Sequence, residues 1–196
     1  DVKAVLRSHY EGTSHDPYTN GLNGKEPWRP VSVFRTYEAH VMQVRPWLPK
    51  EIGETTYIGL GMADLTAFVP YYSGLKAYPA NYTMGTDKAD DQSIYWKYRK
   101  LQTLTMTDYP KLAPIVKKAY KAWEDKVAKE QKEVEAKYLK MAKTDKPAAD
   151  KMLNDFNLRI MADAEKLTED LTNQLFTIRT KDIQSDIFFA NAAKKD

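Results

Sequence analysis

In the second half of the chain, apolar residues recur at steps of three, four and seven: Leu112, Val116, Ala119, Trp123, Val127, Val134, Tyr138 and Met141. This spacing puts them on one stripe of an amphipathic helix running from Pro110 to the neighbourhood of Ala142. The stretch Thr144-Asp-Lys-Pro147 interrupts the pattern; Thr144 or Asp145 can cap a new helix, and Pro147 suits its first turn. A second stripe follows through Leu153, Phe156, Ile160, Ala164, Leu167, Leu171, Leu175 and Ile178. Two long helices joined by so short a link are expected to pack as an antiparallel αα-hairpin. Upstream, Asp90-Asp-Gln-Ser93 offers N-cap chemistry to a shorter helix over Ile94–Leu101. The last apolar run, Asp182–Phe189, fits a short helix or an added strand equally well.

The first half changes period. Between Tyr37 and Arg45, Ala39, Val41 and Gln43 alternate with Glu38, His40, Met42 and Val44, as on a strand. Val31–Arg35 reads as a further extended segment, with Val33, Arg35 and Tyr37 on one face. A turn-rich link, 46–54, leads to a second strand, Thr55–Met62, and the expectation is an antiparallel pair of 37–45 with 55–62. Gly59 and Gly61 leave one face of that strand bare, which predicts close approach by a backbone, a neighbouring sheet or a ligand.

Composition sharpens the division. All eight Gly lie in the first 85 residues and nine of the ten Pro before residue 115. Residues 86–196 hold no Gly, where average usage of about 7% would place roughly eight. The expected architecture is therefore α+β, with a strand- and loop-rich part over 1–109 and a helical layer over 110–196 in the same domain. A length of 196 residues suits one domain with a real core. The absence of Cys excludes a disulfide framework, a thiolate zinc site and a cysteine nucleophile within this chain. The net charge of +3 is the difference of 30 basic and 27 acidic residues. Lys and Glu alternate through the charged tract like a solvated helix surface, so no nucleic-acid partner is expected. No apolar run approaches the roughly 18 residues of a bilayer span, so no membrane partner is expected either. The opening Asp1-Val-Lys3 has neither an initiator Met nor a signal pattern, which reads as a chain trimmed from something longer and located in the cytoplasm.

Candidate chemistry is sparse. His9, His15 and His40 lack metal-ligand spacing, so no metal is expected, and no cofactor motif occurs. His9 and His15 fit a loop whose rings pack on the sheet, and His40 a core histidine on a strand. No Gly-x-Ser-x-Gly elbow is present. Tyr71, Tyr72, Tyr78 and Tyr82 offer an aromatic wall with polar tips. Arg35, read as mid-strand, needs an anion: Glu38, an acid from outside the chain, or a substrate carboxylate. On physical grounds a structural ion pair and a site residue are equally served.

Several short motifs stand in order: His9-Tyr-Glu-Gly-Thr13, Asp16-Pro-Tyr18, Arg29-Pro-Val-Ser-Val-Phe-Arg-Thr-Tyr-Glu-Ala-His40, Gly59-Leu-Gly-Met-Ala-Asp-Leu65, Val69-Pro-Tyr-Tyr-Ser-Gly74, Tyr78-Pro-Ala80 and Ser93-Ile-Tyr-Trp-Lys-Tyr-Arg-Lys-Leu101. Over residues 1 to 109 this series resembles the dipeptidase A family of N-terminal-nucleophile hydrolases. The resemblance implies a dipeptide substrate, an αββα sandwich, and an N-terminal Cys whose own α-amino group is the base. This chain has no Cys, so the resemblance implies the C-terminal half of such an enzyme, inactive without the missing N-terminal half. It further implies that Arg35 faces the catalytic centre and that Glu38 and His40 belong to the substrate-binding motif. A homo-oligomer is the remaining partner expectation. The alternative is an assembly module built on the helical hairpin, without catalytic activity.

Overall fold

A computed structural model describes residues 2–20 and 28–192, with side chains through residue 185. In chain order its elements are helix α1 (Val2–Arg7), strand β1 (Glu38–Val44), helix α2 (Lys50–Gly53) and strand β2 (Glu54–Leu60). Strand β3 (Val69–Tyr72) and helices α3 (Ile94–Met106), α4 (Tyr109–Met141) and α5 (Lys146–Ala192) follow. The fold is α+β around a three-stranded antiparallel sheet in the order β1-β2-β3.

The anticipated strand pair forms, with Glu38 opposite Leu60, Val41 opposite Tyr57 and Val44 opposite Glu54. β3 escaped the sequence reading because four residues show no period and Pro70 argues against a central strand. Pro70 is tolerated because β3 is an edge. The outward-facing Tyr72 N–H donates to Asn157 Oδ1 at 3.2 Å, and Asn157 Nδ2 donates to Pro70 O at 2.7 Å. One buried side chain on α5 thus takes the place of a fourth strand. β1, at the other edge, has no such cover among the described residues.

Two expectations need correction. Val31–Arg35 is a bend and a turn, not a strand. Ser32 is buried and anchored at three points: its N–H reaches Ser8 O at 2.9 Å, its Oγ accepts from Asp64 N–H at 2.9 Å, and its carbonyl accepts from Tyr18 OH at 2.8 Å. The segment is a strap, so its alternation never meets a neighbouring strand. The bare face at Gly59 and Gly61 is filled by this chain itself. A Cβ on Gly59 would lie 2.6 Å from Thr66 Cγ2, and one on Gly61 2.2 Å from Gln102 Oε1. Gln102 uses that room to accept from Met62 N–H at 3.1 Å and donate to Leu60 O at 2.8 Å, tying α3 to the end of β2.

The helices form where the periodicity placed them. Asp145 Oδ1 accepts from Ala148 N–H at 3.0 Å and opens α5, which continues as helix through the run beginning at Asp182. Contacts between α4 and α5 pair falling with rising numbers: Tyr138 with Asp150 at 2.8 Å, Glu130 with Arg159 at 2.6 Å, and Tyr120 with Thr168 at 2.8 Å. One apolar cluster runs from Ile52, Leu65 and Tyr72 through Leu101, Leu112 and Tyr120 to Leu153, Ile160 and Leu175. Among the described residues no helix is long and apolar enough to cross a membrane.

Candidate functional site

The strand alternation sorts the sheet into two unlike faces. Val41, Tyr57 and Tyr72 point to the covered one. There Tyr72 OH donates to Glu135 Oε1 at 2.6 Å, Glu135 grips Arg45 with both oxygens at 2.7 Å, and Lys3 lies 4.1 Å from the Tyr57 ring centroid. On the opposite face stand Glu38, His40, Met42 and Val44 of β1, Thr56 and Ile58 of β2, and Tyr71 of β3. All four β1 residues on it are exposed. A hollow of about 350 Å³ lies on this face, lined by Met42, Glu54, Thr56, Ile58, Tyr71 and Tyr78 among others. Burial, followed by the nearby Tyr98 and Tyr78, pushes the Tyr71 phenol up, so it offers a neutral hydroxyl.

Of the residues singled out from the sequence, Glu38 and His40 stand at one end of this open face, and Arg35 lies in the turn before β1. Glu38 and His40 sit two apart on β1, with Oε1 2.5 Å from Nδ1 and both side chains about half exposed. His40 is therefore not the core histidine its strand position suggested, because β1 is an edge and its face is open. Arg35 is not mid-strand: it is exposed in a turn closed by Thr36 N–H to Val33 O at 3.1 Å. Its guanidinium pairs with none of the described residues, so the structural ion pair with Glu38 does not form. Tyr71 and Tyr78 do line the hollow, whereas the Tyr72 side chain points to the covered face and Tyr82 packs against Tyr71 with ring centroids 6.5 Å apart.

A second constellation was missed. His9 lies in a loop as expected, but its buried ring meets Asp16, Asp64 and Tyr109 of α4 rather than the sheet: Nδ1 lies 3.0 Å from Asp16 Oδ1, and Nε2 lies 2.9 Å from Tyr109 OH and 3.5 Å from Asp64 Oδ2. Tyr109 OH also donates to Asp64, whose other oxygen meets Lys117 at 2.7 Å. Burial alone would lower the His9 pKa, but the flanking Asp64 and Asp16 carboxylates outweigh it and raise it. Asp64 is pushed up by burial and pulled down further by His9, Lys117 and Tyr109, ending below its ordinary value. The nearness of His9 to Asp16 was a readable signal; Asp64, Tyr109 and Lys117 join only through the fold. This network ties the N-terminal segment to α4. Among the described residues no cluster of three or more His, Cys, Asp or Glu is arranged to hold a metal ion.

Comparison with known proteins adds a sequence relationship to this geometry. The profile of peptidase family C69 matches residues 1–122, which include all three strands, the strap and α3. A stretch of 87 residues is 54% identical to a probable dipeptidase of Salmonella dublin, covering 44% of this chain and 19% of that protein. Another of 98 residues is 34% identical to a probable dipeptidase B of Lactococcus lactis subsp. lactis, covering 49% and 21%. A probable dipeptidase A of Streptococcus pyogenes is 31% identical over 113 residues, covering 56% and 24%. The matched stretches span between 19% and 24% of the length of these relatives.

Proposed function

Because the chain belongs to peptidase family C69, we propose that it is the C-terminal portion of a dipeptidase that cleaves dipeptides with an N-terminal Cys nucleophile. That Cys lies outside this Cys-free chain, and this chain by itself is inactive. The observation that carries the reading is the two-faced sheet within the matched region: one face sealed by α4 and α1, the other open and carrying Glu38 and His40 of the family-like motif. Such a sheet has the form needed for one inner layer of an αββα sandwich, with the catalytic centre between the layers.

A dipeptide carries an ammonium at one end and a carboxylate at the other, so its site needs an anion and a cation. In this reading Arg35 takes the carboxylate, where its forked donors suit two oxygens. Glu38, held by His40, takes the ammonium. The nucleophile, activated by its own α-amine, attacks the peptide carbonyl and expels the second amino acid; water then releases the first.

The test is hydrolysis of an unblocked dipeptide by the longer enzyme and by this chain. We expect turnover from the former and none from the latter, and a KM raised about tenfold or more in Arg35→Ala, matching loss of a charged contact. Unchanged kinetics in Arg35→Ala remove Arg35 from the site; turnover by this chain alone overturns the external nucleophile.

A further inference from the structure

Arg99 on α3 is buried, at 8% exposure, yet meets no carboxylate among the described residues. A buried cation must find compensation in hydrogen bonds, and where Arg99 finds it is specific. Nη1 donates to Phe34 O at 2.5 Å and Nη2 to Thr36 O at 2.6 Å. Nε and Nη2 donate to Tyr95 OH at 3.2 and 3.0 Å. The guanidinium lies over the Phe34 and Tyr95 rings, 4.8 and 5.3 Å from their centroids. The two captured backbone carbonyls are those of the residues on either side of Arg35. Apart from this grip, the bond that closes the turn among the described residues runs from Thr36 N–H to Val33 O.

We propose that Arg99 is a positioning residue for Arg35: its rigid fork fixes the Phe34–Thr36 backbone and so holds the exposed Arg35 guanidinium where it takes the substrate carboxylate. A planar fork engaging two carbonyls sets their separation in a way one ammonium does not. The proposal rests on the reading of Arg35 as the carboxylate-binding group. It goes beyond that reading by naming what orients the group, and it predicts a selective defect that a mere staple between α3 and the strap would not give.

The test has two arms. In this chain, Arg99→Lys is expected to speed amide exchange at residues 34–37 by about tenfold while amides of α4 and α5 stay protected, as local opening requires. In the longer enzyme, Arg99→Lys is expected to raise KM about tenfold for an unblocked dipeptide but not for the matching dipeptide amide, which lacks the carboxylate, with kcat little changed. Added to Arg35→Ala, it is expected to change nothing further, the non-additivity of residues acting as a unit. Should Arg99→Lys fold poorly, Tyr95→Phe removes one orienting hydroxyl while keeping the charge, and the same substrate-selective pattern is expected in weaker form. Equal exchange at 34–37 in the wild type and the folded variant overturns the positioning role. A loss that is equal for both substrates, or that multiplies with Arg35→Ala, also overturns it. Faster exchange together with normal kinetics in Arg35→Ala would instead keep the grip and reject Arg35 as the carboxylate group.

Discussion

At the scale of single residues, His9 stands buried between Asp16 and Asp64. Its raised pKa contributes stability that is fully present below the ordinary histidine value of 6.5 and is lost as pH rises through the folded value. The lowered Asp16 and Asp64 contribute above the ordinary 3.8, and their share is lost as pH falls through their folded values. Melting temperature measured against pH should therefore be highest between these ordinary values and fall on both sides. His9→Asn leaves two buried carboxylates with one partner fewer, a loss of about 3 kcal/mol, or roughly 10 °C for a domain of this size. It should also flatten the alkaline limb. Gly61→Ala is a sharper case: at φ +73° its Cβ would meet the Gln102 amide. A loss of about 2–3 kcal/mol in urea unfolding is expected. Gly61 was legible as a site of close approach, but not what approaches, because Gln102 arrives from α3. Arg35 shows the opposite failure. Its alternation with Val33 and Tyr37 imitated a strand, whereas the Thr36-to-Val33 bond, the distant grip of Arg99 and the anchoring of Ser32 hold it as a turn.

At the scale of elements, the long helices and the β1–β2 pair were readable because each repeats its period several times. β3 was not, since its identity as a strand depends on β2 at one side and Asn157 at the other. That dependence is testable. Asn157→Ala strands the buried Tyr72 N–H and Pro70 carbonyl, and we expect a cost of about 2–4 kcal/mol in urea unfolding. Exchange of the Tyr72 amide should accelerate more than exchange of the Tyr57 amide in β2. Asn157→Asp keeps the acceptor and loses the donor, so it should protect Tyr72 while still destabilising.

For the whole molecule, the family relationship was legible from short ordered motifs over the first half, whereas residues 123–196 lie beyond the C69 match and were read from periodicity alone. The open face and bare edge of β1 expose Met42 at 71% and Val44 at 67%, with Trp47 beside them at 76%. An unprotected edge of this kind invites pairing with another chain. We expect this chain to self-associate as its concentration rises, by light scattering, and Met42→Lys to suppress the effect without lowering the melting temperature. The two edges of the sheet also impose a direction on anything built from it. With Asn157 acting as a stop beside β3, the edge left free for a further strand among the described residues is β1. The direction of growth is thereby set by a single asparagine: α5 supplies the terminus at one edge, and the ladder is left open at the other.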